Sequence, residues 1–135
     1  MEYIFKEKAF EAYMDKTQAM VSVKQIGFMG TEDQKRYWLK IRDLILQHDL
    51  TRLLIDGTQA KLLPVDAQKW FETEYFPSVA KLYTGKMLKI ARVEGEDVFT
   101  QLTGQKIDKM ANQIVGVLHM QMFKDVPQAT HWLLE

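Results

Sequence analysis

Near the middle of the chain, the run Arg52-Leu53-Leu54-Ile55-Asp56-Gly57 carries three apolar residues with no polar alternation between them. A strand with that pattern has no face to offer water and must be covered on both sides, like a central strand of an α/β sheet. It therefore calls for helices around it, and helical periodicity flanks it. Upstream, Trp38, Ile41, Leu44 and Ile45 share one helical face. Thr31-Glu32-Asp33-Gln34 reads as a capping box with Thr31 as N-cap, and the helix should end near His48. Downstream, Pro64-Val65-Asp66 opens a second helix carrying Ala67, Trp70, Phe71 and Tyr75. Pro77 either stops that helix or starts a further turn over residues 78–83.

The rest of the chain keeps alternating. Residues 10–14 and 20–26 form an antiparallel hairpin across Asp15-Lys16-Thr17-Gln18, and Tyr3-Ile4-Phe5 is a short strand before it. Gly27-Phe28-Met29-Gly30 lacks the Lys-Ser/Thr of a phosphate loop and reads as a plain β-to-α turn. After the stop Thr84-Gly85-Lys86, residues 87–91 form the next strand. Residues 96–102 read as a short helix broken by Gly104. Ile107, Met110, Ala111, Ile114 and Val115 then mark an amphipathic helix. Residues 119–123 make a last strand, and 127–134 a terminal helix with Asp125 or Val126 near its cap. A hairpin followed by this alternation predicts an α/β sheet with helical crossovers. With 135 residues and no Pro/Gly/Ser-rich linker, a single domain over residues 1–135 is expected.

Composition narrows the function. Cysteine is absent, which excludes a disulfide framework, a thiolate nucleophile and a Cys-based zinc site. Eighteen basic residues balance 18 acidic ones, so a nucleic-acid partner is not expected. Charges recur through residues 2–8 and no apolar run approaches the ~18 residues of a membrane span. Neither a signal peptide nor membrane insertion is expected, and the expected location is the cytoplasm.

Asp56 ends the central strand, where α/β sheets commonly bind ligands, but an Asp-Gly pair is equally a turn former. Asp66 is a second carboxylate that also suits the positive end of a helix. His48, His119 and His131 have no metal-ligand spacing, so no metal, no cofactor and no catalytic residue is assigned. Lys61, Lys69, Lys81, Lys86, Lys89 and Arg92 are interrupted by acids and read as a solvated face. Met110, Met120 and Met122 read as core filler. One α-helical face cannot hide Trp70, Phe71, Tyr75 and Phe76 together, which leaves aromatic surface for a partner.

The strand ending Leu54-Ile55-Asp56-Gly57 and the helix after it resemble the SpoIIAA-like fold, which includes the STAS domains and, more remotely, the CRAL-TRIO domains. Phe123-Lys124-Asp125, Ala129 and Trp132-Leu133 are similar to the tail of small standalone STAS-related bacterial proteins, and Trp70 and Pro77 fit that pattern. The resemblance implies a mixed sheet of four to five strands with helices packed mainly on one side. It also implies regulatory or binding roles rather than a shared catalysis. STAS anti-sigma-factor antagonists carry a phosphorylatable serine at the start of the helix after the central strand. Here Leu62-Leu63-Pro64-Val65-Asp66-Ala67 has no hydroxyl, and Thr58 is the nearest one. A non-catalytic interaction module without that phosphoserine switch is therefore expected, binding a protein partner or itself through residues 56–66 and the helix of Trp70. The candidate contact residues are Asp56, Thr58, Asp66, Trp70, Phe71 and Tyr75. The alternative is a carrier of a small apolar ligand, with a CRAL-TRIO-like pocket of roughly 300 Å³ lined by Met110, Ile114 and Trp70.

Overall fold

Strands β1 (Glu2–Glu7), β2 (Phe10–Asp15), β3 (Met20–Gly27), β4 (Arg52–Ala60), β5 (Leu88–Glu94) and β6 (Leu118–Phe123) pair in the order in which the chain makes them. The computed structural model describes residues 2–83, 85–95, 98–114 and 116–135, without the side chains of residues 3, 5 and 98–100. Thr84, Glu96, Asp97 and Val115, which the sequence reading assigns to a stop and to two helices, lie outside the described residues. The first two pairings are antiparallel and the last three parallel, so the sheet is mixed as expected. It has six strands among the described residues rather than four or five, because Tyr3-Ile4-Phe5 pairs along β2 as a full edge strand.

The parallel strands are joined by α1 (Thr31–His48), by α2 (Val65–Trp70) with α3 (Phe76–Leu82), and by α4 (Val98–Asn112). All three crossovers step the same way along the sheet. Right-handed connections then lay every one of them on the same face. The last helix, α5 (Val126–Leu134), follows β6 without a further strand and packs on the opposite face. The apolar run in β4 is thus divided: Leu53 and Ile55 enter the core under α1 to α4, while Leu54 meets Ala91, Val93, Ala129 and Leu133 under α5.

Four local details differ from the sequence reading. The N-cap of α1 is Gly30, not Thr31, and no side chain caps it. Gln34 is turned inward instead, where its Oε1 accepts the indole N–H of Trp38 at 3.1 Å. Asp56-Gly57 makes no turn. It forms a bulge in β4, where pairing with β3 steps from Lys24 opposite Asp56 to Ile26 opposite Gln59, and the strand runs on to Ala60. Pro77 neither ends nor begins a separate helix. The turn Phe71–Tyr75 ahead of it widens so that the Phe76 N–H reaches the Phe71 carbonyl. A proline can donate nothing to residue 73 and its ring crowds that carbonyl, so a widened turn just before it keeps the helix continuous. Gly104 does not break α4, for a reason that belongs to the site below.

The tail residues that carry the family resemblance are packing residues. Ala129 and Leu133 are fully buried on the sheet, and Trp132 lies against Phe123 with ring centroids 5.4 Å apart. Asp125 caps α5 by accepting the Gln128 N–H at 2.8 Å. At the other end, Arg52 Nε donates to the Leu133 carbonyl and Lys89 Nζ to the Trp132 carbonyl, both at 2.7 Å. These two residues are neighbours across β4 and β5, so the sheet itself satisfies the last carbonyls of the helix. Lys89, read from the sequence as part of a solvated face, also sits 4.3 Å over the Trp132 ring. Arg52→Met should lower unfolding stability by about 1.5–3 kcal/mol, the range for hydrogen bonds to charged groups, in a urea titration followed by circular dichroism. A loss under about 0.5 kcal/mol would mean that α5 holds its place without that bond.

Candidate functional site

Strand β5 is the element that places charge inside the molecule. Its side chains alternate between faces, so Lys89, Ala91 and Val93 point toward α5 while Leu88, Ile90, Arg92 and Glu94 point toward α1 to α4. Arg92 is therefore not on a solvated face. Its Nε and Nη2 reach Asp108 Oδ1 of α4 at 3.0 and 2.9 Å, and its Nη1 donates to Glu94 Oε1. The Glu94 side chain is 4% exposed. Its second oxygen, Oε2, is buried without any hydrogen-bond partner among the described residues. Burial pushes the Glu94 carboxyl above its ordinary range, against the pull of the Arg92 guanidinium. Burial raises Asp108 in the same way.

Gly104 explains why α4 can lie so close. A Cβ at that position would fall on the Glu94 carboxylate and the Arg92 guanidinium. The residue that looks like a helix breaker is what lets the helix backbone rest on the ion cluster.

Beside this cluster, between the sheet and the helices, lies a cavity of about 120 Å³. Leu53, Ile55 and Ile90 of the sheet and Trp38, Phe71 and Tyr75 of the helices line it, with Arg92 and Glu94 among its polar wall residues. Its volume is well under the 300 Å³ expected for a carrier pocket, and Trp70, Met110 and Ile114 do not line it. Trp70 is turned into the aromatic cluster, 5.1 Å from both Phe71 and Tyr75.

The aromatic helix is not a surface. Trp70, Phe71 and Tyr75 are 8, 6 and 6% exposed, and Phe76 is buried with them. The widened turn, together with cover from α1, the sheet and α4, hides more of this segment than one regular helical face can. The Tyr75 hydroxyl donates to the Trp38 carbonyl at 2.8 Å, and its burial pushes its ionisation far up. Asp56 and Thr58 are brought together: the Thr58 N–H and hydroxyl donate to Asp56 Oδ1 at 3.1 and 2.7 Å. Asp66 stands exposed in the first turn of α2, with no hydrogen bond or ion pair among the described residues. No group of three His, Asp or Glu among the described residues is arranged to hold a metal ion, and none of their helices is long and apolar enough to cross a membrane.

Sequence reasoning overlooked Arg92, Glu94, Gly104 and Asp108. A signal was present for the strand pair: Arg92 and Glu94 continue the period-two series of Leu88 and Ile90, which puts them on the core face.

The class defined by this topology is the SpoIIAA-like fold. Among solved structures, the chain is similar to an uncharacterised protein of the DUF3478 family from Shewanella loihica PV-4, itself described as SpoIIAA-like. The two superpose with a TM-score of 0.61 at 16% identity, over 96% of this chain and 98% of that one. No protein-family model and no curated protein sequence matches the chain.

Two outcomes follow from the cluster. Because Glu94 and Asp108 hold their protons to higher pH when folded, the stability linked to them is full below the ordinary values of 4.5 and 3.8. It is lost as pH rises through the raised ones. Wild-type melting temperature minus that of Glu94→Gln should therefore decrease between about pH 4 and about pH 8. A flat difference would mean that Glu94 titrates alike in folded and unfolded chains. Gly104→Ala should lower the urea midpoint, opposite in sign to the usual gain of about 1 kcal/mol for Gly→Ala in a helix interior.

Proposed function

We propose that this protein is a non-catalytic regulatory or interaction module of the cytoplasm, working without a phosphoserine switch and recognising a protein partner at the carboxyl end of its parallel strands. The observation that carries this reading is a set of exposed apolar residues in two adjacent loops. Phe28 is 65% exposed after β3, and Leu62 and Val65 are 52 and 77% exposed after β4. The two loops leave paired strands, with the Lys61 N–H donating to the Gly27 carbonyl at 2.9 Å. Solvent-facing apolar residues gathered this way mark interaction surfaces. Asp56, Thr58 and Asp66 border them and would supply polar contacts at the rim. The start of α2, where the resemblance would place a serine, is Pro64-Val65-Asp66 and offers no acceptor hydroxyl, which supports the absence of that switch.

A photo-crosslinking amino acid at position 65 tests this in the producing cell. The expected result is one discrete protein adduct, a second copy or another protein, that disappears in Phe28→Glu while circular dichroism stays unchanged. No adduct, or one indifferent to Phe28→Glu, overturns the reading.

The cavity supports a second reading, a small apolar ligand. At about 120 Å³ it has no room for a lipid, but it is comparable with the cavities of ~150 Å³ that take benzene or xenon.

A further inference from the structure

The cavity has an apolar body and one unsatisfied polar atom. Leu53, Ile55, Ile90 and Phe71 give it walls that a hydrocarbon group would fill. Glu94, another wall residue, keeps Oε2 buried and unbonded. A buried acceptor left unmade costs about 1–3 kcal/mol, so a donor arriving there gains more than it would in water. Arg92 is not that donor, since its Nη1 is engaged by Glu94 Oε1 and its Nε and Nη2 by Asp108. Charge sets the kind of donor: the cluster has one guanidinium against two carboxylates. The other cations on the cavity wall are committed or remote from it. Arg42 pairs with Asp43 and Ser78, and Lys61 is solvent-exposed.

We propose that the cavity binds a small primary amine whose apolar body fills it and whose ammonium group donates to Glu94 Oε2. An ammonium is a donor without acceptor capacity and carries the charge the cluster lacks. A carboxylate or phosphate head would meet Glu94 and Asp108 with like charge. With a cavity of about 120 Å³, the body is a branched or straight chain of about four to six carbons. Gly104 contributes by keeping side-chain bulk off the cluster.

This proposal rests on the cavity reading and adds the head group, and one set of titrations separates the two. Four probes are compared on the whole protein by calorimetry and amide NMR shifts: n-butylamine, n-butanol, butyrate and xenon. The expected result is saturable butylamine binding, at least about tenfold tighter than butanol, with butyrate not binding. Glu94→Gln should bring butylamine down to the butanol value. Entry of xenon or butanol with no preference for the amine overturns the head-group assignment and leaves the cavity reading standing. If none of the four binds, the cavity reading falls and the proposal falls with it. The selectivity among probes is measured on the wild-type chain, so it does not depend on how well the variant folds.

Discussion

Both faces of β4 must be kept from water, and the rest of the architecture answers that requirement. Leu53 and Ile55 need cover on one side and Leu54 on the other. Three crossovers that advance in one direction supply cover only for the first side. The second side waits for α5, which is why the C-terminal segment is short, capped by Asp125, and anchored at its last carbonyls by Arg52 and Lys89. The two basic residues also show how a charged group is placed at the edge of a core: their stems lie along apolar surface and their heads meet helix carbonyls that would otherwise lack partners.

The helix-side core is built from aromatic rings joined to a few buried polar groups. Phe10 stacks on Tyr37 at 5.0 Å and meets Trp38 edge-on at 5.6 Å, and Trp38 in turn meets Phe71 and Tyr75. Gln34 satisfies the Trp38 indole, and Tyr75 satisfies a carbonyl of α1 that faces it. These bonds fix α1 against the widened turn, so the aromatic rings become the wall of the cavity instead of an adhesive face. The surface then left for a partner is the pair of loops at the carboxyl end of the strands, several residues from where aromatic content alone would place it.

Much of the fold was legible because its causes are local. Period-two and period-3.6 patterns locate the hairpin, α1, β4 and α5, and the Asp125 cap is visible as a helix-start residue before Val126-Pro127. What was not legible depends on residues far apart in the chain. Gln34 matches a capping box until Trp38 takes its side chain. Gly104 is a breaker in any isolated helix, yet here it is the contact point with Arg92 and Glu94, ten or more positions earlier. The spacing of Trp70, Phe71, Tyr75 and Phe76 excludes full burial only while the helix is regular, and no local pattern announces the wider turn. The candidate site suffered most, since Arg92 and Glu94 among acids and lysines look like ordinary surface until the strand alternation is followed through them.

The sheet order has a consequence for how the chain is made. Each strand pairs with the one synthesised just before it, so the sheet is able to grow from its first edge as the polypeptide leaves the ribosome, without waiting for a distant segment. The rear layer is the exception. Leu54 emerges some seventy residues ahead of Ala129 and Leu133, and until those two arrive the growing sheet exposes a greasy back. A chain stalled or clipped before its last ten residues would hold an almost finished sheet with one face uncovered, a natural substrate for chaperones and proteases.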